Sequence, residues 1–189
     1  MLDRREFVKE LVADRGDLLI VSGLGSATYD TAAAGDHPLN FYLWGAMGGT
    51  TMIGLGLALA QPNRRVAVLT GDGDMLMGLG SLATIGVKQP RNLAVVVLDN
   101  AHYGETGMQP SATKSGIDLV AMALACRFKQ ARAVSRLEET ADVRKLLHTG
   151  DGPILVSARI KEEDVPRVLP IRDGHVIKQR FIEALNAQS

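Results

Sequence analysis

Two short stretches hold residue types whose spacing could do chemistry. Gly71-Asp72-Gly73 follows the apolar run Val66-Ala-Val-Leu-Thr70, and Asp99-Asn100 ends the run Leu93-Ala-Val-Val-Val-Leu98. Asn100 lies 28 positions after Asp72, the length of one helix-plus-strand unit. If the two runs are neighbouring parallel strands, a carboxylate and an amide oxygen converge beyond their carboxyl ends. Mg²⁺ suits such a pair, because it keeps one or two carboxylates and fills its octahedron with phosphate, carbonyl and water oxygens. The glycines flanking Asp72 permit close backbone approach, and a helix opening near Met75 would aim free N–H groups at an anion. The combined reading is a Mg²⁺-diphosphate site. A tight turn with an Asx cap accounts for Gly-Asp-Gly taken alone, and the second pair, Asp99-Asn100, is what favours the metal.

Other phosphate motifs fail on single residues. Gly23-x-Gly25 has Thr28, and Gly71-x-Gly73 has Leu76, where the third glycine of a dinucleotide fingerprint belongs. No Gly-Lys-Ser or Gly-Lys-Thr of a P-loop occurs. With 21 Lys+Arg against 21 Asp+Glu in 189 residues there is no field to hold nucleic acid or an anionic membrane. The weakly polar stretch 46–60 is too short for a membrane span. The N-terminal charges lack an apolar segment behind them, so export is not expected. The single cysteine, Cys126, reads as a small buried hydrophobe, and the composition as that of a cytoplasmic protein.

The elements that must position these residues follow from periodicity. Helices are expected over about 2–14, 46–60, 75–88, up to about 126, 137–148 and 175–186. Strands are expected at 18–21, 66–70, 93–98, weakly near 128–134, and at 154–157. The strands lack polar alternation, so both faces are buried. That pattern predicts an α/β, doubly wound, mainly parallel sheet with helices on both faces. The whole chain, 1–189, reads as one domain, with 161–189 an extended linker and a terminal helix. Ligands in such a sheet sit at the strands' carboxyl ends, here Ser22-Gly-Leu-Gly-Ser26, Gly71-Asp-Gly-Asp74 and Asp99-Asn-Ala-His102. Gly48, Gly49, Gly54 and Gly56 would each cost a helix about 1 kcal/mol, and close approach by another helix would offset that.

These residues resemble the diphosphate-binding domain of thiamine diphosphate (ThDP) enzymes, whose motif is GDG, a helix and strand, then NN or DN. Phe41-Tyr-Leu-Trp-Gly-Ala-Met-Gly48, Leu76-Met-Gly-Leu-Gly-Ser-Leu-Ala-Thr-Ile85 and Asp99-Asn-Ala-His-Tyr-Gly-Glu-Thr-Gly-Met-Gln-Pro110 are similar to sulfopyruvate decarboxylase β-subunits and to the C-terminal half of phosphonopyruvate decarboxylases. The resemblance implies that Asp72 and Asn100 bind Mg²⁺ through side chains and His102 through its carbonyl. It puts Gly25, Ser26, Gly71, Gly73 and Asp74 along the diphosphate, with Tyr103 and Gly104 beside the cofactor. It sets Gly45, Ala46 and Met47 against the aminopyrimidine, Met47 being the wedge that bends ThDP so that its imino nitrogen faces C2. The implied activity is decarboxylation of a 2-oxo acid; a carboligase or 2-hydroxyacyl lyase would share every cofactor residue, and a cofactor-free scaffold would share the fold.

Two features depart from the family pattern. Asp74 stands where a small residue is usual, and a second carboxylate beside a diphosphate is repulsive unless it points away, caps a helix or reaches the metal's outer shell. No stretch resembles the pyrimidine-binding domain that supplies the activating glutamate. The resemblance therefore implies a separate α-type, pyrimidine-binding subunit, an oligomer with the 46–60 helix at an interface, and little activity alone. Tyr103, Glu105, Thr106 and Gln109 lie on a loop that either touches substrate or is solvated. Lys88, Arg91, Lys114 and Arg127 are either pocket cations or surface charges.

Overall fold

The computed structural model describes residues 1–163 and 165–187. A six-stranded sheet runs in the order β2-β1-β3-β4-β8-β7. Its strands are β1 (Leu19–Ser22), β2 (Asn40–Tyr42), β3 (Val66–Gly71), β4 (Leu93–Asp99), β7 (Gln130–Val134) and β8 (Ile154–Arg159). Every pairing in it is parallel. A small antiparallel pair, β5 (His102–Tyr103) with β6 (Gln109–Pro110), stands beyond the end of β4.

Eight helices connect the strands among the described residues: α1 (Arg4–Leu11), α2 (Ser26–Ala33), α3 (Thr50–Ala60), α4 (Asp72–Met77), α5 (Ser81–Lys88), α6 (Leu119–Ala125), α7 (Thr140–Thr149) and α8 (Gly174–Asn186). Alternate strand residues feed two cores. Ile20, Leu69, Val96 and Val156 pack with Phe7, Leu11 and Ala27 of α1 and α2 and with Val143 and Leu147 of α7. Val21, Val68, Val95 and Leu155 pack with Leu55, Met75, Ile85, Ala123 and Phe181 on the other face. Apolar runs without polar alternation thus form strands covered on both sides, as a doubly wound sheet requires. The chain leaves β1 for β2 on one side and returns to β3 on the other, so the strand order reverses at β1.

Four local expectations are corrected. Residues 46–49 are loop and not helix, because Ala46 and Gly48 have φ of 58° and 89°. The expected helix over 75–88 is two helices broken at Gly78–Gly80, where a Cβ on Gly78 would lie 2.1 Å from the Gly48 carbonyl oxygen. Gly54 does not serve another helix: its close neighbour is Val68 of β3, 2.1 Å from a Cβ placed there. Cys126 is half-buried and caps α6. Helix α2 and strand β2 were not expected at all. Among the described residues no helix is long and apolar enough to cross a membrane.

Candidate active site at the carboxyl ends of β1, β3 and β4

The β3–β4 register pairs Gly71 with Leu98, so Asp72 and Asp99-Asn100 emerge side by side. Asp72 is the first residue of α4, with no loop between strand and helix. It is 2% exposed. Ser111 donates to its Oδ2, the Thr113 hydroxyl lies 3.3 Å from the same oxygen, and neither bonds Oδ1. Burial, reinforced by the charge of Asp99, raises the pKa of Asp72 above the usual carboxylate value. A cation at this carboxylate would relieve both effects.

Asp99 is itself committed. Its Oδ1 accepts from Ala101 N at 2.9 Å and Thr113 Oγ1 at 2.8 Å, and its Oδ2 accepts from Arg159 Nη1 at 2.9 Å. Asn100 Oδ1 accepts the His102 amide at 3.0 Å, forming an Asx turn around Ala101. Ala101 is buried with φ of 61°. The turn folds His102 back so that its Nδ1 donates to the Asn100 carbonyl at 2.9 Å, while Nε2 lies 3.4 Å from Glu162. The imidazole is thereby held by the backbone and one surface carboxylate.

A cleft enclosing about 140 Å³ opens over these groups. Asp72, Asn100 and His102 line it together, joined by Ser26, Gly71, Gly73, Tyr103 and Gly104 from the expected set. Gly73 forms a true cradle: a Cβ there would come within 2.6 Å of the Tyr103 ring and 3.3 Å of Met47 Cε. Met47 reaches the cleft from an exposed loop, on which Gly45 and Ala46 are also exposed and do not line it. Gly25, the residue before α2, has φ of 73° and lies under Glu105, whose Cγ would be 2.8 Å from a Cβ. Asp74 borders the cleft, yet Gly48 N, Thr50 Oγ1 and Thr70 Oγ1 all donate to its carboxylate. It ties the end of β3 and the first turn of α4 to the loop entering α3.

Sequence reasoning missed the hydroxyls that hold Asp72. Ser111 and Thr113 follow Pro110 in a stretch with no periodicity, and only the folding back of β6 beside β5 brings them to the site. It also missed Arg4, which reads as one charge in a helix but lines the cleft. Of the six non-glycine residues with positive φ among those described, Ala46, Ala101 and Met108 lie on loops bordering the cleft. Such backbone persists where surrounding structure fixes it, commonly at functional sites.

Residues 23–158 match the family model described as thiamine pyrophosphate enzyme, C-terminal TPP binding domain. The chain belongs to that family. This ThDP-enzyme domain is 38% identical to sulfopyruvate decarboxylase subunit beta of Methanothermobacter thermautotrophicus, over 97% of this chain and 95% of that protein. It is also 38% identical to phosphonopyruvate decarboxylase of Streptomyces viridochromogenes, over 82% of this chain and 40% of that protein. Its fold is that of benzoylformate decarboxylase from Polynucleobacter necessarius, with a TM-score of 0.69 over 86% of this chain and 33% of that one at 20% identity.

Proposed function

We propose that the chain is the ThDP-binding, β-type subunit of a heteromeric 2-oxo-acid decarboxylase whose substrate carries a sulfonate or phosphonate. Relatives of both kinds share 38% identity with it, and the one it matches along almost its whole length is named a beta subunit. The observation that carries the reading is the convergence of Asp72 and Asn100 over the Gly73 cradle. Among the described residues no cluster of three or more His, Cys, Asp or Glu could hold a metal. One carboxylate, one amide and a carbonyl fit instead the sparse protein share of a Mg²⁺ shell completed by diphosphate. The donor set therefore fits a Mg²⁺-diphosphate group.

In this reading Asp72 Oδ1, Asn100 Oδ1 and the His102 carbonyl hold Mg²⁺. Ser111 and Thr113 orient Asp72 through its other oxygen. Gly25, Ser26, Gly71 and Gly73 bring backbone close to the diphosphate, with the backbone of Asp74 beside them. Gly45, Ala46 and Met47 meet the pyrimidine ring, and Tyr103 and Gly104 close the side nearest β5. When bound, ThDP supplies the electron sink for loss of CO₂ from a 2-oxo acid. The activating glutamate comes from an α-type subunit. Exposed Met52, Ile53 and Leu59 on α3 support an assembly that covers this face.

The test is calorimetric titration of ThDP into the complex of this chain with the product of its neighbouring reading frame, with and without Mg²⁺, alongside CO₂ release from sulfopyruvate and phosphonopyruvate. Binding that requires Mg²⁺ and is abolished by Asp72→Ala, with turnover only in the complex, is the expected result. Cofactor binding without CO₂ release would favour a carboligase or lyase, and no binding in the complex would leave a scaffold.

A further inference from the structure

Arg4 is the least explained charge near the cleft. It begins α1, is 4% exposed, and lines the cleft together with Ser26 and Asn100. An adjoining polar recess is lined by the same three residues and Gly104. Arg4 Nε donates to Asp30 Oδ2 at 2.7 Å. Asp30 is fully buried on α2, one turn beyond Ser26, and its other oxygen lies 2.6 Å from Arg5 Nε. One carboxylate thus faces two guanidinium groups, leaving a net positive charge beneath the start of α2. Among the described residues Arg4 Nη1 and Nη2 make no hydrogen bond of their own, Nε alone being engaged. A guanidinium has five N–H donors, and only one is used here. The terminal nitrogens are not among the sealed, unpaired atoms of the described residues, so they open onto the cleft that Arg4 lines, where free charged donors suit an anionic oxygen ligand.

We infer that Arg4 binds the terminal phosphate of a diphosphate in the cleft, an inference that rests on the ThDP reading above. Its fork of N–H groups matches a pair of phosphate oxygens. The first N–H groups of α2, at Ser26, add their partial positive charge at the same wall. Depth decides between cofactor and substrate. Ala27, Leu98 and Ile160, each at most 3% exposed, line the cleft with Arg4, whereas Met47, at 36%, marks its open side. A cofactor whose ring rests on Met47 extends its diphosphate toward Arg4. Three carboxylates also border this space, of which Asp74 has its oxygens taken by Gly48 N, Thr50 and Thr70. Asp72 is answered by the metal, and Glu105 is ion-paired with Arg167 at 3.5 Å. Asp30 positions Arg4, and Arg5 remains to neutralise Asp30 when Arg4 is replaced.

The experiment titrates ThDP, thiamine monophosphate and inorganic pyrophosphate, in saturating Mg²⁺, into the two-subunit complex carrying wild-type, Arg4→Gln or Arg4→Lys chain. Arg4→Gln should weaken ThDP and pyrophosphate about 10- to 100-fold, the worth of a lost charge-assisted contact, and leave thiamine monophosphate within about twofold. Arg4→Lys, which keeps a charge but not the fork, should fall between, and it serves if Arg4→Gln does not fold. Equal weakening of ThDP and the monophosphate would overturn the inference. So would unchanged cofactor affinity with a raised KM for the 2-oxo acid, which would assign Arg4 to the substrate's anion. Pyrophosphate binding that depends on Arg4 in a wild-type complex that ignores ThDP would keep the phosphate contact while refuting the ThDP reading.

Discussion

Replacing Asp74 by alanine tests whether this carboxylate is a clamp. Its two oxygens receive Gly48 N, Thr50 Oγ1 and Thr70 Oγ1, and the residue is 6% exposed. A hydrogen bond to a charged group contributes about 1.5–3 kcal/mol, so the three together set an upper bound of roughly 5–9 kcal/mol. The threonine hydroxyls can rotate to other acceptors, whereas the Gly48 amide is fixed by its backbone. The expected loss for Asp74→Ala is therefore about 3–4 kcal/mol, which leaves a domain of ordinary stability folded. Asp74→Asn keeps the shape and one acceptor, and should lose about 1–2 kcal/mol. Urea unfolding followed by far-UV circular dichroism gives the stability. The fluorescence of Trp44, the sole tryptophan and three residues from Met47, reports the loop separately. If Asp74→Ala costs under about 1 kcal/mol, or if Trp44 emission is unmoved while the domain is destabilised, the clamp is refuted.

Four further outcomes follow from the same structure. Gly86→Ala places a Cβ 1.7 Å from the Cys126 carbonyl oxygen, a backbone contact that cannot rotate away, and should cost about 2–4 kcal/mol in urea unfolding. Gly56→Ala meets nothing within 4 Å and lies inside α3, so the isolated chain should gain about 0.5–1 kcal/mol; a loss there would refute the local account. Glu105→Gln removes a carboxylate beside Gly25, and should tighten Mg²⁺-ThDP binding several-fold by calorimetry, with unchanged affinity counting against the charge argument. Burial lowers the pKa of both His37 and His148 from 6.5, so the unfolded chain takes up protons first as pH falls. Stability should thus decline on acidification from about pH 7 through 6.5 and below, and the double variant His37→Asn/His148→Asn should flatten that decline in urea midpoints.

The sheet was legible where burial is two-sided. Val66–Thr70 and Leu93–Leu98 admit no reading but covered strands, and their spacing fixed Asp72 beside Asn100. Helix α2 was illegible because its buried face is polar. Thr28 meets Ser22 Oγ at 2.8 Å, Thr31 donates to the Ala27 carbonyl at 2.8 Å, and Asp30 meets Arg4, so polar residues with internal partners occupy positions that apolar periodicity would need. Strand β2, with three residues, is shorter than any pattern can reveal. The loop over 46–49 looked helical because glycine and alanine carry no signal of φ, and only the contact of Gly48 with Gly78 explains the break in both segments. Within the cleft, Asp72 and the Asp99-Asn100 pair announced themselves by motif, whereas Ser111, Thr113 and Arg4 depended on distant parts of the chain meeting.

The polar residues around the cleft divide into two sets with opposite logic. Asp99 with Arg159, and Asp74 with its threonines, have their oxygens taken by donors of this chain, and such closed arrangements fix loop geometry. Asp72 and Arg4 are as deeply buried, yet each is held on one side only: Asp72 through Oδ2, Arg4 through Nε. The open side of each is not sealed from solvent but turned to the cleft, where a ligand can reach it. A negative and a positive group half-satisfied across one cleft are complementary to a bound cation-anion pair. In the proposed reading that complementarity, more than the glycines that would admit the ligand, suits this end of the sheet to a metal-bound diphosphate over a generic anion.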